Sequence, residues 1–92
     1  MPRARLVKTL TIYSKPGCHL CDDMKAVVSR VIRPLAGQVV LHEVDISGDA
    51  NLEAQYGLEI PVLFVDGKKA AKYRVTEEAL ARILELGPRS VT

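Results

Sequence analysis

The chain has 92 residues, 48% of them hydrophobic and 26% charged, a composition that fits one folded domain (1–92) and excludes a chain disordered as a whole. A net charge of +2 is too small to demand nucleic acid or an anionic membrane as partner, and neither is expected. No apolar run approaches the roughly 20 residues of a membrane helix, and the basic opening MPRARLVKTLTIYSK has no apolar stretch of the kind a secretory leader carries, so a cytoplasmic protein is expected.

The first predicted element is a strand, VKTLTIYS (7–14), in which Leu10 and Ile12 share one face. Pro16-Gly17 breaks it. A helix is expected from about Cys18. Its apolar stripe runs through Leu20, Met24, Val27, Val28, Val31 and Leu35, with Pro34 near its end and Gly37 just past it. VVLHEVDI (39–46) reads as a second strand. SGD is a loop, and ANLEAQYG is a short helix that Gly57 would cap. IPVLFVDGKKAAKYRV supplies a strand, an Asp66-Gly67 hairpin turn and a return strand. Thr76 caps a last helix whose Glu77 and Glu78 suit its positive end. Leu80, Ile83, Leu84 and Leu86 form its apolar side, and Gly87-Pro88 stops it. The tail 89–92 is expected to be loose. The order is β-α-β-α-β-β-α. The first βαβ unit calls for parallel strands and the hairpin for antiparallel ones, so a single mixed sheet covered by helices is the economical α/β architecture.

Cys18 and Cys21 are the two cysteines of the chain. In the cytoplasm a pair this close is more often catalytic or metal-binding than a staple, and so short a loop would remove little entropy from the unfolded chain. Cys18 would stand at or near the first helical position, where unpaired N–H groups and the helix dipole favour a thiolate. Cysteines so placed titrate below the free value of about 8.5, commonly at roughly 3.5–7.5. Cys21, three residues on, lies on the same face at roughly 5–6 Å, inside the disulfide range of about 4.4–6.8 Å between Cα atoms. Position assigns the roles: Cys18 attacks and Cys21 resolves.

The neighbouring charges disagree. Lys15 can favour a Cys18 anion. So can His19, if Asp23 four residues later keeps it cationic. Asp22 opposes the anion, with Lys25 placed to neutralise it. The bland alternatives are an acidic first turn for Asp22 and Asp23 and an exposed spacer for His19. A zinc site would need a second cysteine pair; His19 and His42 are the two other soft donors, and His42 reads as a surface strand residue, so no metal is expected.

TIYSKPGCHLC resembles the active-site strand, turn and helix start of glutaredoxins, and IPVLFVDG resembles their later segment around a cis proline. The likeness covers about residues 6–86 and points to the poorly characterised glutaredoxin-like group of thioredoxin-fold proteins. It implies a four-stranded mixed sheet flanked by helices and a thiol-disulfide oxidoreductase with Cys18 and Cys21 as its catalytic dithiol. It also implies a cis Ile60-Pro61 bond whose backbone pairs with the substrate chain; Lys15 and His19, flanking Cys18, are the further substrate-binding candidates. Two departures stand out. His19-Leu20 replaces the proline and aromatic usual between the cysteines. The glycine pair that cradles glutathione is missing where this chain reads AKYRVTEEAL. Tyr73-Arg74 could block the tripeptide there, or Lys69, Lys72 and Arg74 could hold an anionic substrate by charge.

The expected partners are therefore a disulfide-containing protein or a glutathionylated substrate, with glutathione or a thioredoxin-reductase-type donor restoring a monomeric enzyme. No cofactor is expected; glutathione is the reductant the resemblance implies, and the missing glycines argue against it. The alternatives are a redox-inactive binding module and an iron–sulfur carrier.

Overall fold

A computed structural model of the chain describes residues 8–35 and 37–85. In chain order the elements are β1 (Lys8–Ser14), α1 (His19–Ile32), a 3₁₀ turn (Arg33–Leu35), β2 (Val39–Asp45), α2 (Ala50–Tyr56), β3 (Val62–Val65), β4 (Lys68–Lys72) and α3 (Glu77–Glu85). The four strands form one mixed sheet in the order β2-β1-β3-β4. β1 and β2 are parallel, with Leu10 beside Leu41; β3 runs antiparallel to β1 and to β4. This is the α/β architecture the sequence predicts. Val7 and residues 86–92, including Leu86, the Gly87-Pro88 stop and the tail, lie outside the described residues.

Alternation along β1 puts Leu10, Ile12 and Ser14 on one buried face. Helical spacing on α1 turns Cys21, Met24 and Val28 towards it. Leu10, Ile12, Met24, Val28, Leu63 of β3 and Leu80 of α3 make the core cluster, each 0–1% exposed. Burial of such side chains stabilises by about 1.5–3 kcal/mol apiece. An Arg30–Glu77 ion pair at 2.6 Å joins α1 to α3 at the surface. On the opposite face Tyr56 of α2 stacks on Tyr13 with centroids 4.6 Å apart, and Phe64 meets both rings edge-on.

Four boundaries differ from the sequence reading. The apolar stripe of α1 continues to Leu35, but the α-helix ends at Ile32, because Pro34 has no N–H to donate and the chain tightens into a 3₁₀ turn. Ile46 falls just beyond β2, although its N–H still bonds the Ser14 carbonyl at 2.9 Å. Gly57 follows α2 in a right-handed conformation, φ −54°, and not in the left-handed one of a glycine cap. β4 stops at Lys72, where Tyr73 takes φ +71°. The Asp66-Gly67 turn has φ of 50° and 85°; positive φ at both central residues is the hairpin geometry that matches strand twist. Thr76 caps α3 as predicted, its Oγ1 accepting the Ala79 N–H at 3.0 Å.

Candidate active site

β1 delivers the chain to the C-terminal edge of the sheet, and a short turn reverses it into α1. Gly17 makes that reversal at φ +77°, a conformation costly for residues with a Cβ. Cys18 follows with φ −90° and ψ 113°, which makes it the N-cap of α1 and not its first helical residue. Its sulfur does what a serine or aspartate oxygen does at other N-caps: it accepts the Cys21 N–H at 3.0 Å. Its carbonyl accepts the Asp22 N–H at 3.1 Å. The two cysteines are bonded to each other with Cα atoms 5.1 Å apart, within the relaxed span of a disulfide. Cys18 is half-buried, whereas Cys21 is wholly buried. Cys18 is thus the accessible sulfur of the pair.

The side-chain charges are deployed differently from the sequence reading. Lys15 Nζ reaches Glu53 of α2 at 3.7 Å and ties the turn to that helix. Lys25 pairs with Glu43 of β2 at 3.4 Å and leaves Asp22 unneutralised by it. His19 is the exposed first residue of α1. Among the described residues no ion pair joins it to Asp23. The donor that the structure shows at Cys18 Sγ is the Cys21 backbone N–H at the helix end. Nearby, the Asp45 carboxyl is held below its ordinary range, chiefly by the Ser47 backbone N–H and hydroxyl.

Across the sheet edge from this turn, Ile60-Pro61 is cis. Pro61 is buried and Ile60 half-buried. Val62 pairs in register with Tyr13, so Pro61 comes level with Ser14 at the strand end that leads to Cys18. The topology brings Lys15, Cys18, His19, Cys21, Ile60 and Pro61 to one edge of the fold.

The AKYRVT stretch is where sequence reasoning saw only a block or a basic patch. The structure builds a latch there. Tyr73 N–H donates to the Pro61 carbonyl at 2.8 Å, and the Tyr73 hydroxyl donates to the Leu58 carbonyl at 3.1 Å. Arg74 N–H turns back to the Lys72 carbonyl at 2.8 Å, closing a γ-turn about Tyr73. Glu59 accepts from Lys69 Nζ at 2.8 Å and has Lys72 Nζ at 4.0 Å. The Lys69 hydrogen bond holds the Glu59 carboxyl below its ordinary range, and the same bond raises the Lys69 ammonium. Two of the three cations proposed to hold an anion are thus engaged by a carboxylate of the chain itself. Leu58, 94% exposed, projects from the loop that Tyr73 fastens.

Two features escaped the sequence reading. The Tyr73 latch joins residues 12–15 apart and leaves no local pattern. Buried Ser14 was within reach, since alternation from Leu10 and Ile12 already places it on the core face.

The sequence family described as Glutaredoxin-like domain (DUF836) matches residues 9–85. Among solved structures, the chain is similar to Northeast Structural Genomics target protein XcR50 from X. campestris, at 32% identity over 86% of this chain and 99% of that one, with a TM-score of 0.71. It is also similar to protein Ne2328 from Nitrosomonas europaea, at 27% identity over 90% of this chain and 98% of that one, TM-score 0.70. Chloroplastic thioredoxin z, at 12% identity over 87% of this chain and 77% of that one, shares the fold, with a TM-score of 0.70.

Proposed function

Because the chain belongs to the Glutaredoxin-like domain (DUF836) family, we propose that its Cys18–Cys21 pair works as the dithiol of a thiol-disulfide oxidoreductase. The observation that carries this reading is Cys18 at the N-cap of α1, half-exposed and within bonding distance of buried Cys21. The reduced Cys18 sulfur accepts backbone N–H donation more strongly as an anion than as a thiol, which favours the nucleophilic form.

The reaction proceeds in two exchanges. Cys18 gives its proton to water and attacks, as the thiolate, one sulfur of a substrate disulfide; a Cys18–substrate bond forms, the substrate S–S bond breaks, and the departing thiolate takes up a proton from water. Cys21 then attacks Cys18 Sγ. The Cys18–Cys21 bond forms, the mixed disulfide breaks, and the second substrate thiolate leaves with the proton Cys21 gives up. The substrate gains two electrons and two protons, and the dithiol loses them. A thiol donor, glutathione or a reductase-linked dithiol, runs the same exchanges in reverse.

The preferred substrate is a disulfide in an extended protein segment. Such a chain would lie over Ile60 and Pro61, with exposed His19 beside the reacting sulfur and Lys15, steadied by Glu53, at the margin. Glutathione adducts are the poorer substrate. The glycine pair that would cradle them is absent, and Tyr73 occupies its place, fastened to Leu58 and Pro61. A monomer in a reducing compartment such as the cytoplasm suits this chemistry.

The test is to compare reduction of insulin disulfides with reduction of a glutathione mixed disulfide, each in the parent and in Cys18→Ser. Insulin reduction well above the Cys18→Ser rate, with the glutathione adduct turned over more slowly, supports the reading. A parent no faster than Cys18→Ser on either substrate refutes it and leaves a binding module.

A further inference from the structure

Resolution of the mixed disulfide requires Cys21 to become a nucleophile, yet Cys21 is 0% exposed. Burial among apolar groups penalises a thiolate. Its own helix face offers no remedy, since the next residues along it are Met24 and Val28.

The remedy lies on β1. α1 is the crossover between parallel β1 and β2, so it runs back against β1. Taken in order along β1, Leu10, Ile12 and Ser14 therefore face Val28, Met24 and Cys21. The first two levels are core cluster; the last, at the site end, brings Ser14 level with Cys21, whose sulfur is bonded to Cys18 in this structure. Ser14 is 3% exposed and is the buried polar residue among those described. Its carbonyl is taken by the Ile46 N–H at 2.9 Å. In the disulfide state its hydroxyl takes part in none of the side-chain hydrogen bonds among the described residues, none to Cys21 Sγ included. A buried hydroxyl without a partner costs about 1–3 kcal/mol, and its retention calls for an acceptor.

We propose that the Ser14 hydroxyl donates a hydrogen bond to Cys21 Sγ in the dithiol state and through the resolving step, which makes Ser14 a positioning residue for the second exchange. The inference rests on the dithiol reading above. Ser14 keeps its own proton throughout. As Cys21 bonds to Cys18 Sγ and the substrate sulfur leaves, the proton from Cys21 ends on the departing thiolate, and Ser14 supplies only the hydrogen bond to the charge that develops on Cys21.

The charged groups around this level lie towards the surface. On α1 they are His19, Asp22 and Asp23, all exposed, and Lys25, paired with Glu43 of β2. Beyond β1, Lys15 is paired with Glu53 of α2. From β2 comes exposed Asp45, held by Ser47. From α3 come Glu77, Glu78 and Arg82, all exposed. Pro61 and Val62 at the start of β3 carry no charge. Ser14 is thus the buried polar residue at this level among those described.

The experiment mixes the reduced full chain with 5,5′-dithiobis(2-nitrobenzoate). Attack by Cys18 releases one thionitrobenzoate, and attack by Cys21 on the adduct releases the second. Ser14→Ala is expected to slow the second release about tenfold at neutral pH, on the scale of one charge-assisted hydrogen bond, and to raise the midpoint of its pH profile by about one unit. The first release is expected to stay unchanged. Ser14→Thr, which keeps a hydroxyl, is expected to restore the second release; if Ser14→Ala fails to fold, Ser14→Gly, which also lacks the hydroxyl, decides by the same tenfold and twofold criteria. A second release in Ser14→Ala within twofold of the parent, with an unmoved midpoint, overturns the assignment of Ser14 alone. A parent with no second release overturns the dithiol reading and this inference together.

Discussion

Tyr73 is the residue whose replacement separates stability from specificity. Its φ of +71° costs a residue with a Cβ about 1–2 kcal/mol, and glycine nothing. Against that, its hydroxyl bonds the Leu58 carbonyl at 3.1 Å. A hydrogen bond of this kind is worth about 0.5–1.5 kcal/mol, and the lower half applies because the side chain is 42% exposed. Tyr73→Phe loses the bond and keeps the strain, so it is expected to be about 0.5–1 kcal/mol less stable, a fall in Tm of roughly 2–8 °C for a domain of this size. Tyr73→Gly relieves the strain, loses the bond and adds about 0.4–1 kcal/mol of unfolded-state freedom; the sum lies within about 1 kcal/mol of the parent. Thermal unfolding followed by circular dichroism measures both. Tyr73→Gly also returns a glycine to the place where glutaredoxins carry their glutathione cradle, and its reduction of a glutathione mixed disulfide is expected to exceed the parent's. A Tyr73→Gly protein that loses 3 kcal/mol or more, or one that folds and gains no activity on the glutathione adduct, refutes the reasoning that a strained tyrosine latch obstructs the glutathione adduct.

Leu80→Ala removes the α3 contribution to a core of six side chains; a loss of about 2.7–5 kcal/mol is expected in urea unfolding, and a loss under about 1 kcal/mol would contradict the packing described. Thr76→Ala deletes the cap on α3 and is expected to cost about 0.5–2 kcal/mol, with Thr76→Ser near neutral; equal losses in both would show that the hydroxyl is not what matters. The Glu59 carboxyl is held below its ordinary value of 4.5 by Lys69, so its stabilising contribution is present above that pH and is lost as pH falls through the lower folded value. Glu59→Gln is therefore expected to flatten the acid limb of the urea midpoint, and parallel limbs in parent and variant would refute the assignment.

Much of this fold is legible because its signals are local. Alternation in TLTIYS, the apolar stripe from Leu20 to Val31, the Asp66-Gly67 turn and the Thr76 cap each lie within one element, and each forms as its residues dictate. The cysteine spacing likewise placed both sulfurs within bonding distance at the start of α1. The charges read poorly. Lys15 and Lys25 have sequence neighbours to serve, yet both reach across to other elements, to Glu53 and Glu43. Exposed ion pairs are worth at most about 1 kcal/mol, so the packing of the sheet and helices decides which partner lies within reach, and a linear sequence does not display that packing. The Tyr73 latch was hidden for the same reason, since Leu58 and Pro61 come to Tyr73 only once β3 and β4 have paired.

The most direct test of the central claim is a redox titration of the full chain in dithiothreitol buffers of graded potential, with free thiols alkylated and counted by mass spectrometry. The account predicts one transition in which Cys18 and Cys21 become protected together, with the two-electron dependence of about 30 mV per tenfold change in ratio. Alkylation of Cys18 at every potential reached, with no species in which both sulfurs are protected, would contradict it.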